Sequence, residues 1–389
     1  MDAFRERLGE RQEIFISTLD ECKVQLKKGD LKHCVIQNID LTGLEWDFEK
    51  LELYNTFFLA CHLSKSQIIS LIGLGAFVYP KFKGLPYQPF RNTLYNWQEL
   101  LDGYHPTMDQ SVDLKIYQNF VQTKFIPPVY EALAQRIHDH NIDRALKELI
   151  GYSKDGMTQK KAIGIMGGHS VKRSSSMYQK VAVLAKMAQE NGYFVVSGGG
   201  PGIMEAANLG AYFGGKKEKD LFKAIEILSD LNLENENQVD YLASNYISNA
   251  QKVLELYPVG QKSLAIPTWF YGHEPSNLFA SVIAKFFSNS IREDTLLAIC
   301  LHGVIFAPGS AGTTQEIFQE AAQNHYGTMG YFSPMVFLGK ERYQEETQLY
   351  AVLKQLSMGK EYHQMLHLTD EPKEVISFLI SHPPIPKKV

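Results

Sequence analysis

The period of apolar positions changes along this chain, and the changes divide it. Residues 1–30 carry apolar side chains at helical spacing (Phe4, Leu8, Phe15, Leu19) among charges, which predicts an amphipathic helix. Between residues 35 and 63 the pattern breaks into short pieces, VIQNIDLTGL and NTFFLACHL. These predict brief strands or stacked turns; they have a faint pentapeptide-repeat look, but a small β element is the simpler reading. Helical spacing returns over residues 110–150, most clearly in IPPVYEALAQRIHDHNIDRALKELI. The polar, glycine-bearing stretch GYSKDGMTQKK (151–161) has no period and reads as a boundary.

Beyond it the grammar is regular. AIGIM (162–166), YFVVS (193–197), GVIFA (303–307) and MVFL (335–338) read as buried strands, and SLAIPTWF (263–270) as a further one. Residues 177–191 carry a helical apolar stripe with Gly192 placed to cap it, and residues 218–256 are helix-rich. Lys216 to Asp220, KKEKD, reads as an exposed helix start. Strands alternating with helices predict an α/β fold, a Rossmann-like doubly wound parallel sheet over 156–389. An additional mixed N-terminal domain over 1–155 would have a regulatory or assembly role. A ligand belongs at the carboxyl ends of the strands.

Charge and composition narrow the function. A formal net charge of −4 over 389 residues gives no basic footprint for a nucleic-acid polymer. The apolar run over 68–79 is too short to span a bilayer, and the charged N-terminus has no secretory h-region, so no membrane partner is expected. Cys22, Cys34, Cys61 and Cys300 are scattered without ligand-like spacing, which predicts neither zinc nor disulfides. A reduced, cytoplasmic, soluble protein is the expectation.

Two glycine-rich turns carry the candidate chemistry, each between a strand and a helix. The first holds Gly198, Gly199, Gly200 and Gly202 ahead of Met204 and Glu205; the second is Pro308-Gly309-Ser310-Ala311-Gly312-Thr313-Thr314-Gln315-Glu316. Glycine lets a phosphate approach main-chain N–H groups, and a helix N-terminus adds unpaired donors and a favourable dipole. Structural glycines for tight strand–helix packing are the plainer account of the first turn. For Glu316 the plainer account is a capping carboxylate.

SGGGPGIMEAAN followed by PGSAGTTQE resembles the lysine-decarboxylase-like, or LOG, superfamily, over about residues 160–340. Within it the chain looks most like bacterial nucleotide 5′-monophosphate nucleosidases. The resemblance implies hydrolysis of the N-glycosidic bond of a nucleoside monophosphate to free base and ribose 5-phosphate, with no metal and no cofactor. It implies Glu316 and Arg292 as the catalytic pair. It also implies Gly199, Gly200, Gly202, Met204 and Glu205 with Gly309, Ser310, Gly312 and Thr313 around substrate and phosphate, and a homodimer or higher homo-oligomer. Gly168, His169 and Ser170 fall where sugar-phosphate or base contacts begin. Two positions depart from the pattern: Ser310 stands where a second glycine is usual, and Glu293 where lysine commonly follows the arginine. A non-catalytic nucleotide sensor of the same fold is the alternative. A Rossmann oxidoreductase is disfavoured, because GxGxxG is missing at the first strand–helix junction.

Weaker candidates remain. His273, Glu274 and Asn277 suit a pocket wall or a loop hydrogen bond. Arg91, in an aromatic stretch, suits an anion or an interface. His138 and His140 share no helix face and read as solvated surface.

Overall fold

Buried strands with no polar alternation are what a parallel sheet covered by helices requires, and the computed structural model, which describes residues 13–153 and 156–387, builds one from them. The described residues form two compact units, one of residues 13–92 with 129–141, the other of residues 93–128 with 142–153 and 156–387.

In the first unit β1 (Ile14–Ile16), β2 (Cys34–Gln37), β3 (Phe57–Leu59) and β4 (Phe77–Tyr79) form a parallel sheet in that order. Val35 lies opposite Phe57, Asp30 opposite Glu52 and Asp40 opposite His62, a constant offset of 22 residues. The left-handed backbone positions obey the same offset, His33 with Asn55 and Asn38 with Ala60. The short apolar pieces are therefore successive coils of one repeat, closed around Leu31, Cys34, Ile36, Leu41 and Phe58. The expected first helix is corrected: Phe15 lies on β1, and the helix spans Leu19–Lys28 with a Thr18–Glu21 capping box and Gly29 at φ 72°. Phe4 and Leu8 lie outside the described residues. His138 is also corrected. It is fully buried, its Nδ1 3.1 Å from Asp139 and its ring edge-on to Tyr87, whereas His140 is exposed. Arg91 is buried in this unit.

The second unit holds a seven-stranded sheet. Its strands are β5 (Ala162–Met166), β6 (Phe194–Ser197), β7 (Leu264–Ala265), β8 (Val282–Ile283), β9 (Val304–Phe306), β11 (Met335–Leu338) and β12 (Leu366–Thr369). They run in the order β12-β11-β9-β5-β6-β7-β8, every neighbouring pair parallel. Chain order reverses between β5 and β9, so the sheet is doubly wound in the Rossmann manner with its switch point there. A separate antiparallel pair joins β10 (Tyr331–Phe332) to β13 (Ile385–Pro386).

Helix Ser176–Glu190, capped by Ser175, buries Val181, Leu184, Ala185 and Ala188, and Gly192 follows at φ 81°. Those residues join Ile163, Ile165, Val195 and the small face of helix Ile203–Tyr212 (Ala206, Ala207, Ala211) in the principal core. The strand expected over 263–270 is regular only at Leu264–Ala265, with an isolated bridge from Thr268 to Phe286. No helix among the described residues is long and apolar enough to cross a membrane.

Candidate active site

Three loops at the carboxyl ends of β5, β6 and β9 are tied to one another before any ligand arrives. Gly168 N donates to Pro308 O at 3.0 Å, and Ile203 N donates to Gly168 O at 3.1 Å. Gly202 sits at φ 66°, and a Cβ there would fall 2.5 Å from Gly168 O, so only glycine fits. Arg342 Nη2 donates to Gly309 O at 2.7 Å and Tyr343 Oη to Ala307 O at 2.7 Å, holding the second glycine turn from behind.

These loops rim a cavity of about 560 Å³, a size that suits a nucleotide-scale ligand. Gly168, His169, Gly199, Gly200 and Met204 line it on one side. Ser310, Gly312 and Thr313 line it on the other, with Arg292 and Glu316 between. A Cβ on Gly312 would meet nothing within 4 Å, so that glycine leaves open space at the start of helix Ala311–Tyr326. Helix Ile203–Tyr212 opens on the same cavity side with no side-chain cap at Gly202. Both N-termini thus offer backbone donors.

Four expected residues do not line the cavity. Gly202 and Gly309 act from behind, Gly309 packing against the Thr313 side chain. Ser170 is exposed. Glu205 is fully buried, with Arg173 Nε 2.8 Å from Oε2, Arg173 Nη2 2.6 Å from Oε1, and the hydroxyls of Tyr178 and Tyr246 donating at 2.9 and 3.0 Å. It anchors the helix.

Arg292, on helix Asn289–Ile299, is buried. Its Nε donates to Ile266 O at 2.8 Å and its Nη1 reaches Glu316 Oε1 at 3.2 Å. Its Nη2 makes no hydrogen bond among the described residues and lies where a Cβ on Gly198 would come within 2.7 Å. Burial pushes the Glu316 carboxyl above the usual carboxylate range; the Arg292 charge pulls against that rise and Glu293 adds to it. Glu316 is no capping carboxylate, since helix Ala311–Tyr326 has no side-chain cap.

The sequence reading missed several lining groups. Lys285 Nζ is buried 2.8 Å from Asp113 and 3.3 Å from Ser276 Oγ, while Trp269 Nε1 donates to the other Asp113 oxygen at 2.7 Å. Asp113 comes from 172 residues away, so no local spacing could announce the pair. Glu293 and Tyr271 also line the cavity. Glu274 does so 3.7 Å from His169, whereas His273 stacks on Tyr117. Asn277 supports Gly199, its N and Nδ2 donating to Gly199 O at 2.9 and 3.1 Å. Among the described residues no group of three His, Cys, Asp or Glu side chains could hold a metal ion.

No protein-family model matches the chain, and no curated protein matches it. Among solved structures it is similar to the Moco carrier protein from Chlamydomonas reinhardtii, at 14% identity over 57% of this chain and 99% of that one, TM-score 0.35. It is similar as well to the molybdenum cofactor binding protein from the phototrophic bacterium Rippkaea orientalis, at 14% identity over 57% and 97%, TM-score 0.35. Similarity at this level transfers no residue role and no activity.

Proposed function

We propose that the chain hydrolyses the N-glycosidic bond of a nucleoside 5′-monophosphate, releasing the base and ribose 5-phosphate. The observation that carries this reading is the buried Arg292–Glu316 pair between two glycine turns that each open a helix. The backbone donors at the start of helix Ala311–Tyr326, Ala311 and Gly312 among them, suit the phosphate. The free Nη2 of Arg292 suits a ribose or phosphate oxygen. Breaking the bond leaves oxocarbenium character on the ribose, which a carboxylate at Glu316 offsets while orienting the attacking water. The resemblance of the two glycine motifs supports the same chemistry.

The test is a panel of nucleoside monophosphates incubated with the full chain and with Glu316→Ala, the released base being followed by chromatography. Release by the wild type and none by the variant is expected. Binding without release from any monophosphate would replace the hydrolase by a nucleotide sensor.

We further propose a homo-oligomer of this chain as the working form and residues 1–155 as a regulatory or assembly element.

A further inference from the structure

Charge is distributed unevenly round this cavity. Its lining carries the carboxylates of Glu274, Glu293 and Glu316 against the cations Lys285 and Arg292. Neither cation stands alone: Asp113 lies 2.8 Å from Lys285, and Arg292 Nη1 lies 3.2 Å from Glu316 and 3.8 Å from Glu293. Glu293 is buried, and its closest partners are neutral amides, Asn289 Nδ2 at 2.7 Å and Gln315 Nε2 at 2.6 Å. Its charge is therefore left to be met by Arg292, which already faces Glu316. A buried carboxylate with half a counter-ion is costly unless another cation arrives.

Tyr271 stands beside this carboxylate. Asn289 Nδ2 also donates to its hydroxyl at 2.9 Å, and the residue lines the same cavity. Asn289 Oδ1, behind this carboxylate, is buried with no hydrogen-bond partner among the described residues. Carboxylate oxygens and an aromatic ring together are what a flat organic cation seeks.

We infer that the base of the nucleotide held here is positively charged, of the pyridinium type, with Glu293 meeting the charge of the ring. The inference rests on the nucleosidase reading and names its substrate class. The cleavage balances simply. A water oxygen bonds to the anomeric carbon as the carbon–nitrogen bond breaks. The bonding pair goes to the ring nitrogen and neutralises it, and the water proton passes to a cavity carboxylate and then to solvent. The leaving ring needs no proton, which suits a wall of acceptors. A phosphate paired with a cationic base also carries less net negative charge into an acidic pocket.

Two measurements test this. The first compares kcat/KM for nicotinamide mononucleotide with that for AMP, IMP and UMP, in the wild type and in Glu293→Gln. We expect a preference for the pyridinium substrate, reduced about tenfold or more in the variant as the charge is removed. The second needs no variant: 1-methylnicotinamide, a cation, should inhibit the wild type about tenfold more strongly than neutral nicotinamide. Equal or better cleavage of neutral bases would overturn the inference and leave the nucleosidase reading standing. So would a preference unchanged in Glu293→Gln, which belongs to intrinsic bond reactivity, or equal inhibition by the two amides. No release from any substrate, the pyridinium included, would remove both.

Discussion

Glu316 and Glu205 are both buried carboxylates near the start of a helix that follows a glycine turn, yet their neighbours give them opposite tasks. Glu205 spends both oxygens on Arg173, Tyr178 and Tyr246. Glu316 shares one oxygen with Arg292 and faces the cavity with the other side of its carboxyl. Glu316→Gln should therefore reduce base release roughly a thousandfold in a kcat measurement while the circular-dichroism melt moves little. Because Glu316 acts ionised and burial raises its pKa, kcat should fall with decreasing pH from above the ordinary carboxylate range. An acid limb no higher than that of a free carboxylate would remove Glu316 from the role. Glu205→Ala leaves Arg173 buried and unpaired and should cost about 3–5 kcal/mol in denaturant unfolding, whatever the substrate. The sequence set the two glutamates in like positions, each shortly after one of the two glycine turns. Only the helical phase separates them, and Arg173, 32 residues earlier, is what reveals it.

At the scale of elements, the three loops behave as one part. Gly202→Ala would place a methyl against the carbonyls of Gly168 and His169 in a backbone conformation alanine avoids. Stability should fall by about 2 kcal/mol or more in denaturant unfolding, and nucleotide binding should weaken although Gly202 touches no cavity. Unchanged binding with the expected loss of stability would uncouple the β5 loop from the site. The strands of this sheet were legible where burial on both faces makes a continuous apolar run, as in AIGIM and MVFL. Two-residue β8 and the mixed LHLT of β12 give no such run, so the sheet's edges were not readable. The coil repeat was only half visible for a related reason. Its equivalent positions share backbone shape while residue type changes, His33 with Asn55 and Asn38 with Ala60.

Stability of the whole molecule carries the mark of one further carboxyl, which no motif in the sequence singles out. Glu320 lies one helical turn after Glu316, so both fall on the same face of helix Ala311–Tyr326 and both are buried. Ser333 donates to Glu320 Oε1, while Oε2 is buried with no hydrogen-bond partner among the described residues. Burial pushes its carboxyl up to about 7, Ser333 opposing. The native state thus holds a proton that the unfolded chain releases near pH 4.5, so between those values folding binds protons. The stabilisation tied to that proton is complete below about pH 4.5 and is lost as pH rises through about 7. By linkage the loss is about 3 kcal/mol. Glu320→Gln keeps the shape and has no charge to bury. Its unfolding free energy should vary less with pH across that window, and at pH 8 it should exceed the wild type by a comparable amount. If the two proteins lose stability in parallel from pH 5 to 8, the carboxyl is not proton-linked to folding and the buried oxygen has a partner in solution.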